Sequence, residues 1–146
     1  MKILLDTNLL VRAAISPAGS AREILRSIES DEEHELVISR YLLGGVADVL
    51  RRDRIRARWP LTDEEVAAFC RFLSLVGREV SPEPLPHIIE DPKDQVVIET
   101  AVAGAANVIC TLDAHFYKAK VSAFCSAHSI RVLNDTELLR LLAVNR

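Results

Sequence analysis

KILLDTNLLV, residues 2–11, decides how the rest of the chain is read. Residues 2–5 are a short apolar run, long enough for a buried strand and too short for a helix. The run ends on a carboxylate, a hydroxyl and an amide: Asp6, Thr7 and Asn8. Residues 9–15 are apolar again, broken only by Arg12. In open α/β sheets, functional groups collect beyond the carboxyl ends of the strands. Asp6 stands where such a strand would deliver one.

Outward from that stretch, apolar strands alternate with helical patterns. Residues 16–19 (SPAG) form a loop. Ser20 and Glu23 have capping-box spacing, and Ala21, Ile24, Leu25 and Ile28 make one apolar stripe. Residues 36–38 are a second strand. Ser39 is placed to cap a helix carrying Leu42, Val46, Val49 and Leu50. A basic run, residues 51–58, is stopped by Trp59 and Pro60. Thr62 and Glu65 open a helix with Val66, Phe69, Cys70, Leu73 and Val76 on one face. Residues 81–86 read as a proline-rich loop. Residues 91–94 (DPKD) open a helix with Val97, Ile98, Ala101 and Ala105 inward. Residues 108–111 make a third strand, followed by Asp113. Residues 116–128 are ambiguous, with some helical character. Residues 130–133 make the last strand, and Asn134 and Glu137 start a closing helix.

The strands are continuous apolar runs without alternation, as in a parallel sheet covered on both faces. The expectation is one domain over residues 1–146: a three-layer α/β/α sandwich with a parallel sheet of four or five strands. Aromatic residues make up 5% of the chain, so the core must be aliphatic. The net charge of −3 gives no global attraction to nucleic acid. A polyanion site must then be a local basic patch. No apolar run approaches the ~18 residues of a membrane span, and no membrane partner is expected. Lys2 is followed by only three apolar residues, far short of a signal peptide core. Cys70, Cys110 and Cys125 have no metal-binding spacing and read as buried thiols in a reducing compartment. The expected location is the cytoplasm.

Asp6 and Asp113 follow strands, while Asp91 and Asp94 precede a helix on the same edge. Topology alone would gather these acids from distant parts of the chain. Clustered carboxylates repel, which raises the pKa of at least one, and a divalent cation relieves that repulsion. Mg²⁺ and Mn²⁺ favour such oxygen ligands. Asp is also a good N-cap and turn residue, so Asp6, Asp91 and Asp94 have a purely structural reading as well.

The strings ILLDTNLLV, ISRYLLGGVADVLRR, DPKDQVVIETA and TLDAHF occur in the order and spacing of the PIN domain. The chain resembles its VapC-like branch, the toxin components of toxin–antitoxin systems. The resemblance runs from residue 2 to about residue 142. It implies a Mg²⁺- or Mn²⁺-dependent ribonuclease with RNA as substrate, a small antitoxin as partner, and a homodimer. By similarity Asp6, Asp94 and Asp113 are the catalytic, metal-holding acids. Asp91 is an outer partner, and Asn8 and Thr111 orient the acids. One position departs from the family pattern. Gly45 stands where S-x-x-L-L-x-E would place a Glu. Two glycines in a helix, Gly44 and Gly45, cost about 0.8–1.0 kcal/mol each relative to Ala, and no packing pattern in the sequence asks for them. Asp48, three residues on, shares the face and is the substitute candidate, with a shorter reach.

Arg51, Arg52 and Arg54 head the dense basic run. They are candidate RNA contacts, or simply cations complementing a helix C-terminus. His115 reads as a loop histidine without a role, and Tyr41 and Trp59 read as packing against helices. The alternative function is a catalytically impaired PIN-like binding protein for RNA or an antitoxin. A phosphatase or receiver-type domain is disfavoured, because Asn8 replaces the second acid such a site would want.

Overall fold

The computed structural model describes residues 1–144. Five parallel strands make one sheet: β1 (Lys2–Leu5), β2 (Glu35–Ile38), β3 (Gly77–Glu79), β4 (Val108–Cys110) and β5 (Arg131–Leu133). Their order is β3-β2-β1-β4-β5, so the first strand lies at the centre. Ile3 is in register with Leu36 on one side and with Val108 on the other.

Both faces of the sheet are covered, which is why residues 3–5, 36–38 and 108–110 are apolar without alternation and fully buried. Ile3, Leu5, Leu36, Ile38, Val108 and Cys110 face one core. That core is closed by α1 (Thr7–Ile15), α2 (Ser20–Ser30), α5 (Asp63–Val76) and α8 (Asp135–Val144). Leu4, Val37 and Ile109 face a second core under α6 (Pro92–Ala103) and α7 (Ala119–Ala127). The helix α3 (Arg40–Leu50) straddles the two, with Leu42 in the second core and Val46 and Leu50 in the first. A short helix α4 (Asp53–Arg58) follows it.

The expected three-layer sandwich is present, with five strands. The third strand differs from the expectation: β3 falls where the sequence runs from helix to loop. Its residues, Gly77, Arg78 and Glu79, are half-exposed or exposed, so this edge strand lacks the apolar signature that marks the others. The strand before Asp113 is therefore β4. The cap at Ser39 is made, its side chain accepting from Leu42 N, and the Thr62–Glu65 capping box is complete. The Ser20–Glu23 box is not formed. Gly19 is the N-cap of α2, and the Ser20 hydroxyl donates to Asp135 of α8 instead. Ala105 lies beyond the end of α6 with φ +50°, exposed rather than inward. Gly104 has no room for a side chain: a Cβ there would lie 2.3 Å from Val37 Cγ1.

Cys110 and Cys125 are buried and Cys70 is half-buried, all three as free thiols. Burial pushes each thiol above its ordinary pKa, which keeps it protonated and unreactive. No helix among the described residues is long and apolar enough to cross a membrane.

Candidate metal centre

β1 and β4 are neighbours, so the residues that follow them are brought together. The Asp6 N–H donates to Cys110 O at 3.1 Å and extends the ladder by one residue. The Asp6 side chain then caps α1, accepting from Leu9 N at 3.0 Å. Its other carboxylate oxygen accepts the hydroxyl of buried Thr111. The same hydroxyl oxygen accepts the main-chain N–H of Asp113 at 3.0 Å. Thr111 thus links two acids that are far apart in the chain.

Asp113 caps a single 3-10 turn, Ala114–Tyr117, by accepting from His115 N at 2.9 Å. The turn folds the His115 ring back over the acids. Its Nδ1 lies 3.4 Å from Asp113 Oδ1 and 3.6 Å from Asp94 Oδ2. Asp94 stands in the first turn of α6, whose N-cap, Asp91, accepts from Lys93 N at 2.9 Å. Asp94, Asp113 and His115 each offer one ligand atom, all within 4.8 Å of one another.

The electrostatics follow from this crowding. Burial, with the charges of Asp113 and Asp91 beside it, pushes Asp94 up to about 6, and His115 pulls the other way. Burial also raises Asp6, against the hydrogen bonds from Thr111 and Leu9. Capping and clustering are therefore both real. Asp6, Asp91 and Asp113 all cap helices or turns, and they also share one edge of the sheet.

Of the expected site residues, Asp94 and Asp113 meet directly. Asp6 stands one hydroxyl away, outside the 4.8 Å group, with both oxygens engaged by protein donors. Asp91 is exposed at the rim. Thr111 orients Asp6, whereas the Asn8 side chain is exposed and only its main-chain N–H favours the charged form of Asp6. Asp48 is exposed on α3 and does not join the group. A Cβ on Gly45 would meet the Thr7 side chain at 3.3–3.4 Å, beside Asp6, while one on Gly44 would meet nothing within 4 Å. Packing therefore does not require Gly44, whereas a side chain at position 45 needs Thr7 to give by a few tenths of an ångström.

His115 is the member that sequence reading missed. Its only signal is its place two residues after Asp113, where a tight turn returns it to the acids. The basic run is largely used within the fold. Arg51 and Arg56 both pair with Asp63, and Arg58 lies over Trp59. Arg52 and Arg54 are exposed. Tyr41 does not pack against a helix: it is half-exposed, with the Arg40 guanidinium over its ring.

No curated protein matches this chain. Among solved structures it is similar to VapBC2 from Rickettsia felis bound to a DNA fragment from its promoter, with a TM-score of 0.61 over 92% of this chain and 98% of that one. The identity is 14%, a likeness of fold. The sequence model of the PIN domain matches residues 2–115, which contain Asp6, Asp94, Asp113 and His115. On that match, which spans well over half of its length, the chain belongs to the PIN domain family.

Proposed function

We propose that this protein is a divalent-metal-dependent ribonuclease, the toxin of a toxin–antitoxin pair. The observation that carries the reading is the convergence of Asp94, Asp113 and His115 within 4.8 Å at the carboxyl edge of a parallel sheet. The two carboxylates suit a small hard cation such as Mg²⁺ or Mn²⁺, with the imidazole standing beside the ion's oxygen ligands and not counted among them. The raised pKa of Asp94 fits as well, since it reflects negative charge that a cation would relieve. Asp94 and Asp113 would hold the ion, with Asp6 behind them. When bound, the ion supplies charge stabilisation to a phosphodiester under attack by water.

The chain's own residues do the rest. Thr111 fixes Asp6 and Asp113 in one arrangement before any ligand arrives. The His115 ring spans Asp94 and Asp113 and can carry a proton beside them. The antitoxin partner, the homodimer and the cytoplasmic location are part of the same proposal. The fold shared with VapBC2, a toxin–antitoxin complex, supports the antitoxin partner, while the homodimer and the location rest on the resemblance of the sequence strings alone. A second reading rests on Gly45: with no carboxylate there, the protein binds RNA or an antitoxin without cutting. Incubation of single-stranded RNA with the protein and Mn²⁺ separates the two. The nuclease reading expects cleavage that Asp94→Asn and Asp113→Asn abolish. RNA left intact by the parent, with binding retained, would select the second reading.

A further inference from the structure

A nucleic-acid strand carries one negative charge per nucleotide. A cation at Asp94 and Asp113 can answer one phosphate, but the next one would face uncompensated acids at the rim. Beside the acids a cleft of about 490 Å³ opens, bordered by His87, Glu90, Asp91, His115, Lys118 and Lys120. His115 belongs both to this cleft and to the acidic group. Lys118 precedes α7 and makes no side-chain cap to it. Lys120 Nζ donates to His87 O at 3.2 Å, tying the far wall of the cleft to α7. Neither lysine forms an ion pair among the described residues, so both ammonium groups can turn to a ligand, although the same cleft also holds the carboxylates of Glu90 and Asp91. The N-terminal end of α7, which begins at Ala119, adds partial positive charge to the same wall.

The arginine run offers less. Arg51 and Arg56 share the single carboxylate of Asp63. Arg52 and Arg54 lie past the C-terminal end of α3, roughly 10 Å or more along the helix axis from Gly45 at a rise of 1.5 Å per residue.

We infer that the Lys118–Lys120 cleft seats the RNA phosphate next to the one held at Asp94 and Asp113, and so fixes on which side of the acids the strand runs. The inference rests on the nuclease reading for the identity of the strand. Positive charge for the polyanion comes from the start of α7, and the arginine run is not part of it.

The test uses the full chain with chelator, so that no RNA is cut. A short fluorescent single-stranded RNA is titrated by anisotropy at several salt concentrations. Lys118→Ala with Lys120→Ala should weaken binding about tenfold at low salt and reduce the slope of log K against log salt by about 1.4, at ~0.7 per phosphate contact. Lys118→Arg with Lys120→Arg should bind as the parent does. Arg52→Ala with Arg54→Ala should also leave affinity and slope unchanged. The inference is overturned if the lysine-to-alanine pair binds like the parent, if the arginine replacements fail to preserve binding, or if the Arg52/Arg54 pair carries the loss. Cleavage with Mn²⁺ is measured separately on the parent. RNA bound through the lysines but never cut would end the nuclease reading and leave the cleft standing. RNA cut by the parent and bound equally by the lysine-to-alanine pair would do the reverse.

Discussion

Thr111 donates its hydroxyl to Asp6, and that bond joins the end of β4 to the end of β1. The oxygen also accepts from Asp113 N, so one buried side chain serves two acids. Thr111→Val keeps the shape and removes both bonds. It should cost about 1–3 kcal/mol, the range for leaving buried polar groups unsatisfied. Chemical denaturation of the metal-free protein would measure this. An unchanged midpoint would mean that Asp6 is held by Leu9 N alone.

Mn²⁺ or Mg²⁺ should raise the melting temperature, because an ion that binds only the folded state stabilises it by about 2.7 kcal/mol at a hundredfold excess over Kd. Asp94→Asn with Asp113→Asn should abolish the response. A doubly substituted protein that still gained stability with metal would place the ion elsewhere.

Without metal, stability should depend on the protonation of Asp94. Its pKa is raised to about 6, above the ~3.9 of an unfolded aspartate. Between those values the native state binds more protons than the unfolded chain. Stability from this group therefore rises as pH falls through 6 towards 4, and is lost as pH rises. Asp94→Asn should be more stable than the parent at pH 7, and the gap should close by about pH 4. Melting in chelator across this range reads the difference directly. A gap independent of pH would contradict the raised value.

Gly45→Glu should supply a carboxylate next to Thr7 and increase Mn²⁺-dependent RNA cleavage. A Cβ at 3.3 Å from Thr7 Cγ2 asks only for a small adjustment. Glu is also the better helix former by several tenths of a kcal/mol. Added repulsion should lower stability in chelator and be reversed by metal. Equal cleavage and equal metal response in parent and variant would show that position 45 does not serve the acids.

Gly104→Ala should destabilise the fold by about 1–3 kcal/mol, the usual cost of overpacking, because its methyl would overlap Val37 Cγ1. Val37→Ala in the same chain should recover part of the loss. A double-mutant cycle with no coupling would mean that the backbone after α6 moves freely.

The acids were legible in the sequence because apolar strands mark their own ends. Residues 2–5 and 108–110 leave no doubt where Asp6 and Asp113 fall. The DPKD string, with Pro at the first helical position, marks Asp94 in the same way. What stayed hidden depends on contacts between segments. β3 is a polar edge strand, and its pairing with β2 has no local signature. His115 reaches Asp94 only because a 3-10 turn reverses the chain, and the two acids it spans come from different elements. The arginine run reads equally as an RNA contact or as cations at a helix end, and the pairing of Arg51 and Arg56 with Asp63, at the start of α5, has no local signature. The vacancy at Gly45 came from comparison with a family pattern, since a glycine in a helix announces nothing by itself.

The central place of β1 has a consequence for biosynthesis. Asp6 leaves the ribosome 105 residues before its partner Thr111. At 5–20 residues per second that interval is roughly 5–20 s. Until β4 emerges, β1 has one open edge and Asp6 has neither the Cys110 carbonyl nor the Thr111 hydroxyl. A nascent or truncated chain ending before β4 carries the first acid and no site. Under the nuclease reading, the acidic site is absent from the nascent chain until β4 and Asp113 have emerged, and RNA near the ribosome meets it only after that point.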